Sequence, residues 1–180
     1  MLYGAMKRTI FAAIAACLLL PLALTGPTRA EGTLANVLSP LLVLRGAPVT
    51  AETLEDRVVL IAFFASWCPP CKYEFPHLNT VQEAYGEDGL QIIAVNVFET
   101  FDGLSTPEKL DVFLDDIAPT FPILKGDAET RRIFGDLDRI PTMFLFGRDG
   151  ALDFVFRHAP NADKTHLSEA ELREQIEPLL

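Results

Sequence analysis

The stretch FFASWCPPCKYEFP, residues 63–76, sets Cys68 and Cys71 around two prolines and directly after Trp67. Three chemistries use thiols this close: a metal clip, a structural disulfide and a redox pair. Upstream, RVVLIAFFA (residues 57–65) is a continuous apolar run, the pattern of a strand buried on both faces. Downstream, residues 69–85 read as a helix stopped by Gly86. Cys68 then falls at the N-cap, with Pro69 and Pro70 at the first two helical positions. Neither proline has an N–H, so two orphan donors of the first turn are absent. The donor left within reach of an N-cap side chain is the Cys71 N–H, expected to point at the Cys68 sulfur. The helix dipole adds positive potential there, and both effects favour the thiolate, the reacting form. One tension remains, because a residue before proline avoids the α region and Pro69 could distort the first turn. Cys68 is expected to be accessible and to attack a disulfide, and Cys71, one turn into the helix, to be shielded and to resolve the mixed disulfide.

The compartment bears on this choice. Residues 9–24, TIFAAIAACLLLPLAL, carry no charge; Lys7 and Arg8 precede them and Thr28-Arg29-Ala30 follow. A basic start, an apolar middle and a small-residue exit make a secretory signal, with cleavage expected near Ala30. An uncleaved membrane anchor is the second reading, although the run is short for a span of about 20 residues and Pro21 interrupts it. Lipidation at Cys17 in IAAC is the third. All three carry residues 31–180 across a membrane, to a periplasmic or other extracytoplasmic place where disulfides persist. Removal of residues 1–30 takes away Lys7, Arg8 and Arg29 and no acid, so the net charge falls from −10 to −13. That acidity argues against nucleic acid and anionic lipid surfaces as partners.

With Cys17 removed, Cys68 and Cys71 are the two cysteines left. One bridge across two residues closes almost no loop entropy, so a structural staple is a poor answer. Structural zinc takes four ligands; there is no second cysteine pair, and His77, His158 and His166 are scattered, so no metal site is assigned. A redox pair is what remains.

The length suits one domain with a real core. Residues 1–30 are the signal or anchor, 31–40 a lead-in and 41–180 the domain. LLVLRGAPVT (residues 41–50) looks like a hairpin around Gly46. LQIIAVNVF (90–98) is a second buried strand. Thr106-Pro107 opens a helix whose Leu110, Phe113, Leu114 and Ile117 recur at helical spacing. FPIL, from Phe121, reads as a short strand, followed by a helix through Ile133 and Phe134. TMFLFG and ALDFVFR flank Arg148-Asp149-Gly150 as a hairpin. Ser168 and Glu171 form a capping box, with Leu167 and Leu172 as its staple. The order implies an α/β fold, a central mixed sheet covered by helices.

Trp67-Cys68-Pro69-Pro70-Cys71 after an apolar strand resembles the thioredoxin fold, and within it the TlpA/ResA-like extracytoplasmic thiol–disulfide oxidoreductases. The resemblance runs from about Leu41 to the C-terminus. It rests also on the N-terminal hairpin, on Pro76 five residues after Cys71, on the helix inserted near residues 110–117, and on Ile140-Pro141-Thr142 opening a strand. It implies a cis peptide bond at Pro141 and a substrate-binding surface of Trp67, Ile140 and Pro141 beside the reactive cysteine, where a client adds as a strand. It places an acid near the pair, here Glu99, as the candidate to handle the proton of Cys71. The Asp that ordinary thioredoxins keep six residues before the first cysteine is here Ala62. The chain departs from the family at His158-Ala159-Pro160, where a glycine is usual. The implied function is an enzyme that reduces disulfides of exported proteins, in cytochrome c biogenesis or copper-site assembly. It would have no cofactor and a membrane thiol–electron donor. A disulfide oxidant of the DsbA type and a copper-binding chaperone using the same cysteines are the alternatives; a peroxidase fails for want of a third mature cysteine and a peroxide-site threonine motif.

Overall fold

The computed structural model describes residues 29–180. The apolar segment 9–24 and Cys17 lie outside them. Among the described residues no helix is long and apolar enough to cross a membrane. The elements follow in order: α1 (Arg29–Leu38), β1 (Leu42–Arg45), α2 (Ala51–Leu54), β2 (Val58–Phe64), α3 (Pro69–Tyr85), β3 (Leu90–Asn96), α4 (Pro107–Ile117), β4 (Ile123–Lys125), α5 (Ala128–Ile133), β5 (Thr142–Phe146), β6 (Leu152–Arg157) and α6 (Glu169–Ile176).

The strands form one mixed sheet in the order β1-β4-β3-β2-β5-β6. β2, β3 and β4 run parallel, while β1, β5 and β6 run antiparallel to their neighbours. β2 sits in the middle, and all seven of its residues are buried. Its side chains alternate between two cores, as the period of two demands. Val58, Leu60, Ala62 and Phe64 face Phe75, Leu78, Leu114 and Ile176; Val59, Ile61 and Phe63 face Leu38, Leu54, Phe134 and Leu137. Fully burying a valine, leucine, isoleucine or phenylalanine side chain contributes about 1.5–3 kcal/mol, which explains why this strand reads as an unbroken apolar run. The mixed sheet flanked by helices and the inserted helix α4 are as expected, with Leu110, Phe113, Leu114 and Ile117 all buried.

The N-terminal hairpin is corrected. β1 pairs with β4, Leu42 opposite Lys125 and Val43 opposite Leu124. The residues after Gly46 form no strand. Gly46, at φ +83°, turns the chain against Pro122, Pro48 has no N–H to donate to a ladder, and Thr50 caps α2 with a capping box. Residues 31–40, read as a lead-in, fall largely in α1, which buries Leu34, Ala35 and Leu38 in the second core.

The parallel strands β2, β3 and β4 end on one side of the sheet, and the chain segments that leave those ends build the site. Gly126, just past β4, approaches this end closely. Its N–H donates to the Asn96 carbonyl at 2.9 Å. A Cβ there would lie 2.7 Å from Val95 Cγ1 and 2.9 Å from Val97 Cγ1. Both valines are stiff at χ1. Gly126→Ala is therefore expected to cost about 1–3 kcal/mol of stability by overpacking. The urea midpoint measures it, and an unchanged midpoint would show that the strand ends yield.

Candidate redox site at the N-terminus of α3

After Phe64 the chain turns through Ala65, Ser66 and Trp67 to Cys68, the N-cap of α3. Cys68 has φ −89° and ψ 104°, extended backbone, which is what a residue before proline prefers. The tension at Pro69 is thereby relieved: the cysteine stands outside the helix and Pro69 and Pro70 occupy its first two positions. The Cys71 N–H donates to Cys68 Sγ at 3.3 Å. The two sulfurs are joined in a disulfide, with the Cα atoms 5.3 Å apart. The expected accessibility of Cys68 is corrected: it is 3% exposed and Cys71 0%. Both cysteines belong to the apolar cluster of Phe64 and Phe75, and Trp67 and Ile140 pack against that cluster.

The loop opposite contains the cis Ile140–Pro141 bond. It is tied down on both sides. Thr142 Oγ1 donates to the Arg139 carbonyl at 3.0 Å, and Arg139 Nη1 donates to the His158 carbonyl at 3.0 Å. The His158 ring faces the Ile140 carbonyl through Nε2 at 3.3 Å and the Ala159 carbonyl through Nδ1 at 3.0 Å. The residue that departs from the family pattern therefore braces the cis-proline loop.

Trp67 is held from the segment after β3. Its Nε1 donates to the Phe98 carbonyl at 2.9 Å, and its ring stacks on Phe101 with centroids 5.8 Å apart. Phe98 adopts φ 57°, a left-handed conformation that costs an aromatic residue about 1–2 kcal/mol. Glu99 follows. It accepts from the Ser66 N–H at 3.0 Å, from Ser66 Oγ and from Asn96 Nδ2 at 2.6 Å. Burial pushes its pKa up, but the hydrogen bonds from Asn96, Ser105 and Ser66 outweigh that and hold it below the ordinary carboxylate value. The structure thus brings Glu99 to the turn two residues before Cys68; among the described residues it has no hydrogen bond to either sulfur.

A second acid was not singled out from the sequence. Glu74 lies three residues after Cys71, on the same face of α3, and is 2% exposed. Its Oε1 accepts from the Leu167 N–H at 2.9 Å. Burial pushes its pKa up to about 8, the Leu167 hydrogen bond opposing this only in part. The signal was present: Cys71, Glu74, Phe75 and Leu78 share the i, i+3, i+4, i+7 spacing of a buried stripe, and one of the four is an acid. Among the described residues no group of three or more histidine, cysteine, aspartate or glutamate side chains could hold a metal ion.

Residues 39–155 match the model of the AhpC/TSA family, which takes in the cysteine pair, Glu99 and the cis-proline loop. The chain belongs to the AhpC/TSA family. It is 29% identical over 117 residues to the thiol-disulfide oxidoreductase ResA of Oceanobacillus iheyensis, covering 64% of this chain and 57% of that relative. It is 35% identical over 82 residues to the ResA of Halalkalibacterium halodurans, covering 45% of this chain and 43% of that one. The chain thus matches about half the length of these curated relatives. A crystal structure of a thiol:disulfide interchange protein of the thioredoxin family from Chlorobium tepidum superposes with a TM-score of 0.64 over 77% of this chain and 90% of that one, at 22% identity. That likeness shows the thioredoxin-like fold. In this AhpC/TSA family member the match stops before α6, so Leu167, the partner of Glu74, lies beyond it.

Two predictions follow from the acids. Glu74 keeps its proton in the folded chain up to about pH 8, whereas in the unfolded chain it releases it near 4.5. Its contribution to stability is full below that lower value and is lost as pH rises towards 8, by up to about 1.4 kcal/mol per pH unit. Glu74→Gln cannot ionise, so between about pH 5 and pH 8 its urea midpoint is expected to gain on that of the wild type; parallel profiles would refute a buried protonated acid. For Glu99→Gln, one acceptor oxygen becomes an NH2 that faces other donors. Exchange is expected to slow several-fold with its pH profile unchanged, as for a group that positions Ser66 and Trp67. A shifted profile would instead give Glu99 the proton of Cys71.

Proposed function

We propose that this chain is an extracytoplasmic thiol–disulfide oxidoreductase that reduces disulfides of exported proteins through Cys68 and Cys71. The observation that carries the reading is the Cys71 N–H aimed at Cys68 Sγ across a proline-capped helix N-terminus, with the two sulfurs close enough to be joined. The names of the ResA relatives support the reaction class. The charge-free run 9–24 behind Lys7 and Arg8 supports export, either as a cleaved signal or as a tether.

In the reduced protein the Cys68 thiolate, stabilised by the amide and the helix dipole, attacks one sulfur of a client disulfide. The client S–S bond breaks, a mixed disulfide forms, and the departing client sulfur takes up a proton. Cys71 then loses its proton and attacks Cys68 Sγ. The Cys68–Cys71 bond forms and the second client sulfur leaves. Two electrons have passed from the protein to the client, and a membrane thiol–electron donor must restore the pair. The Cys71 proton needs an ionised acceptor: Glu74, on the face of α3 that carries Cys71, supplies one increasingly as pH rises towards about 8, whereas Glu99 is ionised throughout but is held by Ser66 and Asn96. Ile140 and the cis Pro141 supply the edge on which a client segment pairs, with Trp67 beside it. Clients in cytochrome c maturation or copper-site assembly fit the resemblance to the TlpA/ResA-like group.

The division of labour is tested by single substitutions. Cys71→Ala is expected to accumulate mixed disulfides on Cys68, and Cys68→Ala to abolish both exchange and trapping. Iodoacetamide labelling across pH should give Cys68 of the Cys71→Ala variant a pKa below the free-thiol value of about 8.5. Equal reactivity of the two single variants would sink the helix-terminus mechanism. The reduction potential of the couple decides between reductant and oxidant.

A further inference from the structure

Beside the redox site, on the far side of the Trp67 support, lies a cavity of about 470 Å³ at the ends of β3 and β4. Its walls include Phe98, Glu99, Phe101, Lys125, Asp127 and Arg131. The charges here are arranged unlike those elsewhere. Among the described residues from Arg45 onward, every other lysine and arginine donates to a carboxylate or a backbone carbonyl, as Arg45 does to Asp115, Arg148 to Asp88 and Arg157 to Gly135. Lys125 and Arg131 are the two that donate to no oxygen of a described residue, and both face this one cavity. Arg131 is positioned nonetheless: its Cζ stands 4.6 Å over the Phe98 ring, which leaves the edge of its guanidinium free to donate. Neither acid of the cavity forms an ion pair with these two cations, and among the described residues Asp127 is bound through Oδ1 alone. Glu99 is taken up by Ser66 and Asn96, and Asp127 accepts from the Thr130 N–H and Oγ1, both at 2.8 Å.

We infer that this cavity receives a carboxylate side chain of the client segment that neighbours the disulfide under attack, so that acidic sequence around the cystine is a determinant of the substrate. The inference rests on the exchange reading above. The same residue links the two places: Phe98 carries Arg131 on its ring and accepts Trp67 Nε1 on its carbonyl, and Trp67 immediately precedes Cys68. A segment lying over Trp67 and the exposed Phe101 leads from the sulfur into the cavity. A planar guanidinium paired with an ammonium suits a carboxylate. The overall charge of −10 works against any acidic client, so a preference for one must come from local cations.

The test uses two peptides that differ only in flanking residues, one with glutamates and one with glutamines around an intramolecular cystine. The ratio of their kcat/KM values is expected to favour the glutamate peptide by roughly ten-fold in low salt, and to collapse towards one in the Lys125→Gln/Arg131→Gln variant. Arg131→Lys, which keeps the charge, should retain part of the preference. Binding is read separately with serine analogues of both peptides, through the fluorescence of Trp67, the one tryptophan of the chain. Tighter binding of the glutamate analogue without any exchange would sustain the cavity and overturn the oxidoreductase. Exchange of both peptides at equal rates, with equal binding, would overturn the cavity and leave the oxidoreductase standing.

Discussion

The first amide of α3 belongs to Cys71, because both residues before it in the helix are prolines. In an ordinary helix several N–H groups share the positive end. Here the nearest of them is directed at a single atom, Cys68 Sγ, 3.3 Å away. The geometry requires Cys68 to stand just outside the helix in extended backbone, and a proline after it favours that conformation. The rest of the site is concerned with delivering Cys68 to this place.

Delivery falls to the parallel strands. β2 and β3 pair in parallel, so their C-terminal ends lie side by side, and the turn after one meets the turn after the other. Phe64 accepts from the Val97 N–H at 2.8 Å, Ser66 is held by Glu99, and Trp67 by Phe98 and Phe101. Each support comes from the few residues after β3. The strained backbone at Phe98 is where this concentration is least comfortable, and its carbonyl is what the Trp67 indole requires. From the other side His158 and Arg139 brace the cis-proline loop.

Much of this was legible in sequence because it is local. The run from Val58 to Phe64 has apolar residues on both faces and can only be a doubly buried strand. Cys68 as N-cap follows from the two prolines, and the Ser168 capping box from its own four residues. What escaped depends on long-range partners. Residues 41–50 have the look of a hairpin, but the mate of β1 is β4, some eighty residues on, and no local pattern names it. Cys68 is buried, against expectation, because Trp67 and Ile140 converge on its cluster from separate segments. Glu74 reads in sequence as a solvated acid, as acids on helices usually are; only the packing of Leu167 against α3 shows that it is not.

Glu74 follows Cys71 by three residues on α3 and Glu99 holds the turn before Cys68, and their environments push their pKa values in opposite directions. Glu74 has one hydrogen bond from the backbone and an apolar surround, so desolvation wins and it keeps its proton towards pH 8. Glu99 is half-buried, but three or more donors converge on it, so hydrogen bonding wins and it stays charged. A group that exchanges a proton near neutral pH needs a pKa near neutral pH. A group that must hold a turn in place through repeated redox cycles needs a charge that does not titrate there. By that criterion Glu74 is the acid whose charge can change as pH rises towards 8, and Glu99, held ionised, is the one that fixes Ser66 and with it the turn that leads to Cys68.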